Sequence, residues 1–191
     1  MKSLIVLLLL FSPSFITGSN PIDSSPYMLF DFESEENGNW QIVNDGVMGG
    51  RSKGFVALED GTLQFTGTTV TRGGGFTSVR TRLNHDFSEF DGLELRVRGS
   101  GRTFEVELSD GTRFRGRSVS RRAGFNTSEE WTVVRVPFDS FRSSIFGQQV
   151  SAAPMDISNV LGFGLYILDG KDGPFSLEVD EIRLYRQESG S

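Results

Sequence analysis

The strongest constraint in this chain is strict in-out alternation between residues 93 and 108. Leu93, Leu95 and Val97 alternate with Glu94, Arg96 and Arg98, and Phe104, Val106 and Leu108 alternate with Glu105 and Glu107. Successive side chains of a strand point to opposite faces, whereas a helix repeats every 3.6 residues, so this stretch is strand. A two-residue loop at Ser100-Gly101 is expected to pair Val97 with Phe104 and Leu95 with Val106, apolar opposite apolar. A three-residue loop, Asp110-Gly111-Thr112, then pairs Leu108 with Phe114 and Glu107 with Arg115, with Gly111 or Thr112 at positive φ. The shorter loop would set Glu107 against Phe114, burying charge against an aromatic ring. The same register predicts an outer charge ladder: Arg96 across from Glu105, Glu105 from Arg117, and Glu94 and Arg115 flanking Glu107. Arg121 and Arg122, without nearby acids, form a positive excess over the loop Val119–Asn126.

The same period recurs along the chain. Strands are expected at Tyr27–Phe32, Trp40–Val43, Phe55–Leu58, Thr62–Phe65, Phe76–Leu83, Leu93–Arg98, Thr103–Ser109, Arg113–Ser118, Thr132–Pro137, Gly162–Leu168 and Phe175–Tyr185. Only Asp139–Ser144 and Ala153–Val160 suit short helical turns. Many short strands joined by Gly-rich turns predict an all-β, antiparallel β-sandwich of the jelly-roll kind. Seventeen Phe supply its core. With no Cys, disulfides, a thiol nucleophile and thiolate metal sites are excluded. The single histidine, His85 in Asn84-His85-Asp86, excludes multi-His metal clusters and reads as a turn residue. Nineteen Lys and Arg against 25 Asp and Glu exclude a globally basic nucleic-acid binder.

Residues 1–19 read as a secretory signal peptide. Lys2 gives the positive start, Leu4 to Phe11 the apolar run, and Thr17-Gly18-Ser19 the small residues for cleavage. The run is too short to span a bilayer, which takes ~20 residues. The expected organisation is therefore signal peptide 1–19, linker 20–26, one β-sandwich domain 27–187 and tail 188–191. The protein is expected to be secreted or periplasmic, with no membrane span.

Three Gly-rich loops are the candidate functional segments. They are Asn44-Asp45-Gly46-Val47-Met48-Gly49-Gly50-Arg51-Ser52, Arg72-Gly73-Gly74-Gly75-Phe76 and Asp169-Gly170-Lys171-Asp172-Gly173-Pro174-Phe175. The first precedes a strand rather than a helix and lacks a Lys-Ser/Thr end, so it is no phosphate loop. Their residues, with Phe30-Asp31-Phe32, Trp40, Thr77-Ser78-Val79-Arg80 and the run Asp91 to Arg102, resemble the complex I intermediate-associated protein 30 family over about residues 28–186. The resemblance implies a galactose-binding-like jelly roll and a role as assembly factor or chaperone for respiratory complex I, in mitochondria. It supplies no catalytic residues. The matched positions Trp40, Asn44, Asp45, Met48, Gly49, Gly50, Gly75, Phe76, Ser78 and Arg80, with Asp169 and Lys171 of the third loop, form the candidate binding surface. Arg80 is expected to clamp the loops through a bidentate pair with Asp45.

Carbohydrate-binding jelly rolls are similar in carrying a structural Ca²⁺ between a first-strand Glu and a last-strand Asp. By that likeness Glu33 and Asp180, with Asp31, are candidate ligands, and Asp180-Glu181 marks a bulge where the apolar phase slips. Three function classes follow. A protein-binding assembly module predicts a groove or apolar patch between loops with a polar rim. A carbohydrate-binding module, with a glycan as partner, predicts a Trp or Tyr presented flat. An enzyme would need two carboxylates across a cleft, and Asp45 with Asp169 or Asp172 is the only loop pair to test. The non-catalytic protein-binding module, with no cofactor beyond that calcium, is the expected function.

Overall fold

A computed structural model describes residues 25–33 and 38–187; the signal peptide, most of the linker and the tail lie outside them. Fifteen strands follow in order. The first five are β1 (Tyr27–Phe30), β2 (Gln41–Asn44), β3 (Lys53–Glu59), β4 (Thr62–Thr69) and β5 (Thr77–His85). The next five are β6 (Gly92–Gly99), β7 (Thr103–Ser109), β8 (Arg113–Phe114), β9 (Arg117–Ser118) and β10 (Ser120–Asn126). The last are β11 (Thr132–Pro137), β12 (Arg142–Ile145), β13 (Gln148–Gln149), β14 (Val160–Ile167) and β15 (Gly173–Tyr185). Single 3-10 turns sit at Asp45–Met48 and Phe138–Ser140, and no α-helix occurs among the described residues.

The strands form the expected antiparallel sandwich. One sheet runs β11-β6-β15-β4-β3, with β1 also on β15; the other runs β13-β12-β10-β7-β14-β5-β2. Leu63, Phe65, Leu95, Val97, Leu177 and Ile182 of the first sheet and Val79, Phe104, Val106, Leu108 and Leu165 of the second are fully buried. Each such side chain contributes about 1.5–3 kcal/mol by leaving water. Phe104 of the seven-stranded sheet meets Phe65 and Phe175 of the other, with ring centroids 6.4 and 6.1 Å away.

The expected β6–β7 hairpin is absent. The chain crosses at Ser100-Gly101 from one sheet to the other: β6 pairs β11 and β15, while β7 pairs β10 and β14. The apolar faces of β6 and β7 both point into the core, from opposite layers. The ladder built on that hairpin is replaced: Arg96 pairs Asp180 at 2.6 Å, and Glu105 meets Arg122 at 3.3 Å. Gly111 does take positive φ (72°), but Leu108 lies opposite Arg121 rather than Phe114. Residues 113–118 form a small ribbon of their own, β8 against β9. Arg121 does not extend a positive surface. It is buried against Asp110 at 2.9 Å, where its guanidinium also donates to Ser143 Oγ (2.5 Å) and the Ala153 carbonyl (2.8 Å). The bulge in β15 lies where expected, between Val179 and Glu181. No helical turn forms over 153–160, and residues 142–145 are strand.

Candidate functional site

Asp45 is the hub of the first two Gly-rich loops. Its carboxylate is fully buried and accepts from Ser52 N (3.0 Å), Ser52 Oγ (2.7 Å), Gly75 N (2.6 Å) and Phe76 N (3.3 Å). Ser52 Oγ in turn accepts from Val70 N at 3.0 Å. Asn44 works alongside, its Oδ1 accepting from Gly54 N (2.9 Å) and Thr77 Oγ1 (2.6 Å). A Cβ at Gly50 or Gly74 would land on the Asp45 carboxylate, so these glycines exist to let the two loops close around it. Gly49 caps the 3-10 turn at φ 85°. Burial alone would raise the Asp45 pKa, but the amide and hydroxyl donors outweigh it and hold the carboxyl below its ordinary range.

Arg102 is the hub of the third loop. Its guanidinium forms a buried, bidentate pair with Asp169, with Nε to Oδ2 at 2.8 Å and Nη2 to Oδ1 closer still. It also donates to the carbonyls of Lys171 (2.7 Å), Pro174 (3.2 Å) and Gly173 (3.3 Å), and to Thr69 Oγ1 (3.0 Å). Lys171 therefore serves through its backbone, while its side chain is exposed. Arg102 holds the Asp169 carboxyl below its ordinary range, and Thr71 does the same for Asp172, whose Oδ1 accepts from Thr71 N at 2.6 Å. Asp45, Asp169 and Asp172 are thus anions committed to backbone and guanidinium donors. None is poised as a general acid.

Side chains that folding does not consume gather on the outer face of the seven-stranded sheet. The registers set Arg142, Arg122, Glu107, Gly164, Arg80 and Gln41 in one row, and Gly124, Glu105, Tyr166, Ser78 and Val43 in the next. Arg80 does not reach Asp45 as expected. Asp45 is already filled, and Arg80 lies along the face, Nε donating to Ser78 Oγ (2.9 Å) and guanidinium 4.7 Å above the Tyr166 ring. Arg122 covers the same ring at 5.2 Å, and Phe76 flanks it at 6.4 Å. Tyr166 donates to Glu107 Oε1 at 3.1 Å; burial and that neighbouring anion raise its pKa. Burial also raises the Glu105 pKa, against the pull of Arg122. Glu107 Oε2 and Arg122 Nε face each other at 3.8 Å, both buried and both without a hydrogen bond.

The candidate residues therefore divide. Asn44, Asp45, Gly49, Gly50, Gly75, Asp169 and Lys171 build loops. Trp40 is partly buried and packs against the core residues Phe30, Phe32 and Phe163. Met48 closes the 3-10 turn, and its side chain lies outside the described residues. Ser78, Arg80 and Phe76 share the outer face with Tyr166, Glu105, Glu107 and Arg122, the last four not foreseen as a site. His85 is the last residue of β5, not a turn residue, with its ring 6.2 Å from Tyr27. The calcium candidates have other engagements. Asp180 accepts from Arg96, Asp31 Oδ1 accepts from Glu33 N (3.2 Å), and the exposed Glu33 lies beside Gly61. No group of three or more His, Asp or Glu among the described residues is arranged to hold a metal.

Comparison with known proteins extends this geometry. The chain is 30% identical over 176 residues to mouse complex I intermediate-associated protein 30, mitochondrial, covering 80% of this chain and 54% of that one. It is 31% identical over 186 residues to an uncharacterized protein of Schizosaccharomyces pombe, covering 82% and 83%. The chain spans about half the length of the mouse relative. Among solved structures it is similar to the family 11 carbohydrate-binding module of a Clostridium thermocellum cellulosomal cellulase. There the TM-score is 0.64 at 17% identity, over 87% of this chain and 98% of that one, which establishes the jelly-roll sandwich. The family model for complex I intermediate-associated protein 30 matches residues 30–179, and the chain belongs to that family.

Proposed function

We propose that this chain is a non-catalytic protein-binding module of the assembly-factor or chaperone type, and that it meets its partner through the outer face of the seven-stranded sheet. One observation carries the reading. Among the family-matched residues, Arg80 is a polar side chain left over from loop building; propped by the buried Ser78, it lies on the face that carries Glu105, Glu107 and Arg122. Fixed, alternating charge over buried apolar strands suits recognition of another polypeptide, giving register and steering encounter. The mouse relative is named for association with a complex I intermediate; only contact with a polypeptide is carried over to this chain.

The glycan reading is weaker on this geometry. Tyr166 is only 5% exposed beneath two guanidinium groups, and Arg96 and Arg98 each lie over the Trp131 ring at 4.8 Å. Guanidinium groups already lie over each ring, where a sugar would stack. Cross-linking capture from the native compartment with the wild type and with Arg80→Glu tests the proposal. A polypeptide captured by the first and lost by the second is expected, with silent glycan arrays. Glycan binding without any polypeptide would overturn it. The compartment is itself part of the proposal: residues 1–19 are read as directing export, whereas the mouse relative is named mitochondrial. A reporter fused to residues 1–26 and followed by fractionation decides between the two.

A further inference from the structure

We propose that the groove between the β8–β9 ribbon and the β12–β13 hairpin docks an extended acidic segment of a partner protein, which adds as a strand beside β13. This rests on the protein-binding reading and supplies the chemistry of the partner. The groove has a volume of about 580 Å³; Phe114, Ile145, Phe146 and Val150 form its apolar walls, and Arg115 and Arg117 its cationic ones.

Three observations point to this occupant. First, both walls are tight hairpins whose tips combine a large side chain with left-handed backbone. Arg115 and Gly116 have φ 51° and 78°, and Phe146 and Gly147 have φ 49° and 78°. Such turns favour Asn-Gly, so an aromatic at the first position is strained. Phe146 is also 74% exposed. Strain and exposure together mark it as a contact residue rather than a folding residue.

Second, the groove concentrates unneutralised cations. Segments 111–118 and 141–155 contain Arg113, Arg115, Arg117 and Arg142 and no acid, in a chain of net charge −6. Arg115 and Arg117 make no ion pair among the described residues and lie over Phe114 (5.2 Å) and Phe146 (5.3 Å). Everything outside these four arginines sums to −10. A long polyanion or an anionic bilayer would be repelled by that remainder, whereas a short acidic segment meets only the groove. Third, among the described residues β13 ends its sheet and has one hydrogen-bonded neighbour, β12. Its Gln148 lines the groove, and both glutamines are exposed. A free strand edge offers backbone hydrogen bonds that only a polypeptide returns in register.

The test is fluorescence anisotropy of the full chain with a short labelled peptide in which glutamate alternates with valine. Its glutamine analogue, heparin and phosphatidylserine vesicles are the comparison probes. The glutamate peptide is expected to bind, more weakly at higher salt, and to lose at least tenfold in affinity in R115E/R117E. A version with proline at alternate positions is expected to bind more weakly, since proline cannot donate to the strand edge. Phe146→Asn is expected to weaken binding several-fold while leaving the Tm unchanged or higher, because Asn-Gly suits the turn. No binding of the glutamate peptide, equal binding of the glutamine analogue, or affinity untouched by R115E/R117E overturns the proposal. So does arginine-dependent binding of heparin or vesicles but not of the peptide. Polypeptide capture that persists in R115E/R117E would leave the outer-face reading standing and remove only the groove.

Discussion

Deleting the Asp45 carboxylate should loosen two loops at once, and the glycines around it provide an internal check. Asp45→Ala leaves four donors behind, the amides of Ser52, Gly75 and Phe76 and the Ser52 hydroxyl. A hydrogen bond to a charged group contributes about 1.5–3 kcal/mol. Water entering the vacated space recovers part of this, so the expected net loss is about 3 kcal/mol. At about 2–4 °C per kcal/mol for a domain of this size, the Tm should fall by about 6–12 °C. Gly74→Ala should cost about 2 kcal/mol in the wild type, because its Cβ lands on a carboxylate pinned by Gly75 and Ser52. In the Asp45→Ala background the carboxylate contacts vanish and only the residue-45 Cβ, 2.9 Å away, remains, so the same methyl should cost about half as much, leaving a coupling of about 1 kcal/mol. Urea denaturation of all four species, with m unchanged, measures this directly. Costs that add to within about 0.5 kcal/mol would refute the clamp. The pH dependence gives a second check. The folded Asp45 pKa is lowered, so its stabilisation is complete above the unfolded value near ~3.9 and is lost as pH falls through the folded value. The gap between wild type and Asp45→Ala should hold from neutrality to about pH 5 and close below that.

Three further outcomes are expected. Arg102→Lys should cost about 2–4 kcal/mol in the same assay, because an ammonium cannot reproduce a fork that serves Asp169, three carbonyls and Thr69; a loss under about 1 kcal/mol would show that the third loop does not depend on it. Glu105→Gln should stabilise the protein at pH 7 and do nothing below about pH 4: burial raises the folded pKa, so this group's stabilisation is full below the unfolded value and lost as pH rises through the folded one. Calcium should leave the Tm within about 1 °C of the value in chelator, since Arg96 occupies the Asp180 carboxylate; a chelator-reversible rise that disappears in Asp180→Asn would establish the metal site instead.

The candidate site was half legible. Asn-Asp-Gly and the glycine runs mark tight backbone chemistry, and the loops at 44–52 and 72–76 do close on each other through Asp45. The partner of that carboxylate was not legible, because backbone amides carry no residue code. An Arg80–Asp45 pair is the contact a sequence suggests; Gly75 N and Ser52 N are the contacts the fold uses. Arg102 and Arg121 follow or lie among turn residues and look solvated, yet each is buried on an Asp of a distant or folded-back segment. Tyr166 is out of phase with the core residues Leu165 and Ile167, and yet it is covered, by Arg80 and Arg122 on the outer face.

The misplaced hairpin shows where alternation stops being informative. Leu93, Leu95 and Val97 and then Phe104, Val106 and Leu108 record only that one side of each strand faces a dry interior. Two arrangements meet that condition. The strands can lie side by side with apolar faces on one sheet, or in opposite sheets with those faces toward each other across the core. Burial is equal in both, so the pattern cannot separate them. The polar residues do: in the sandwich Arg96 meets Asp180 and Glu105 meets Arg122, whereas the hairpin would pair Arg96 with Glu105. Both pairings neutralise charge at the surface, where each contributes about 0–1 kcal/mol, too little to choose a topology. What decides is the segment between the strands. Arg102, one residue past Gly101, is held inward by Asp169 and by the carbonyls of Gly173 and Pro174 at the start of β15. That contact carries the chain across the sandwich at the point where a two-residue turn would have folded it back.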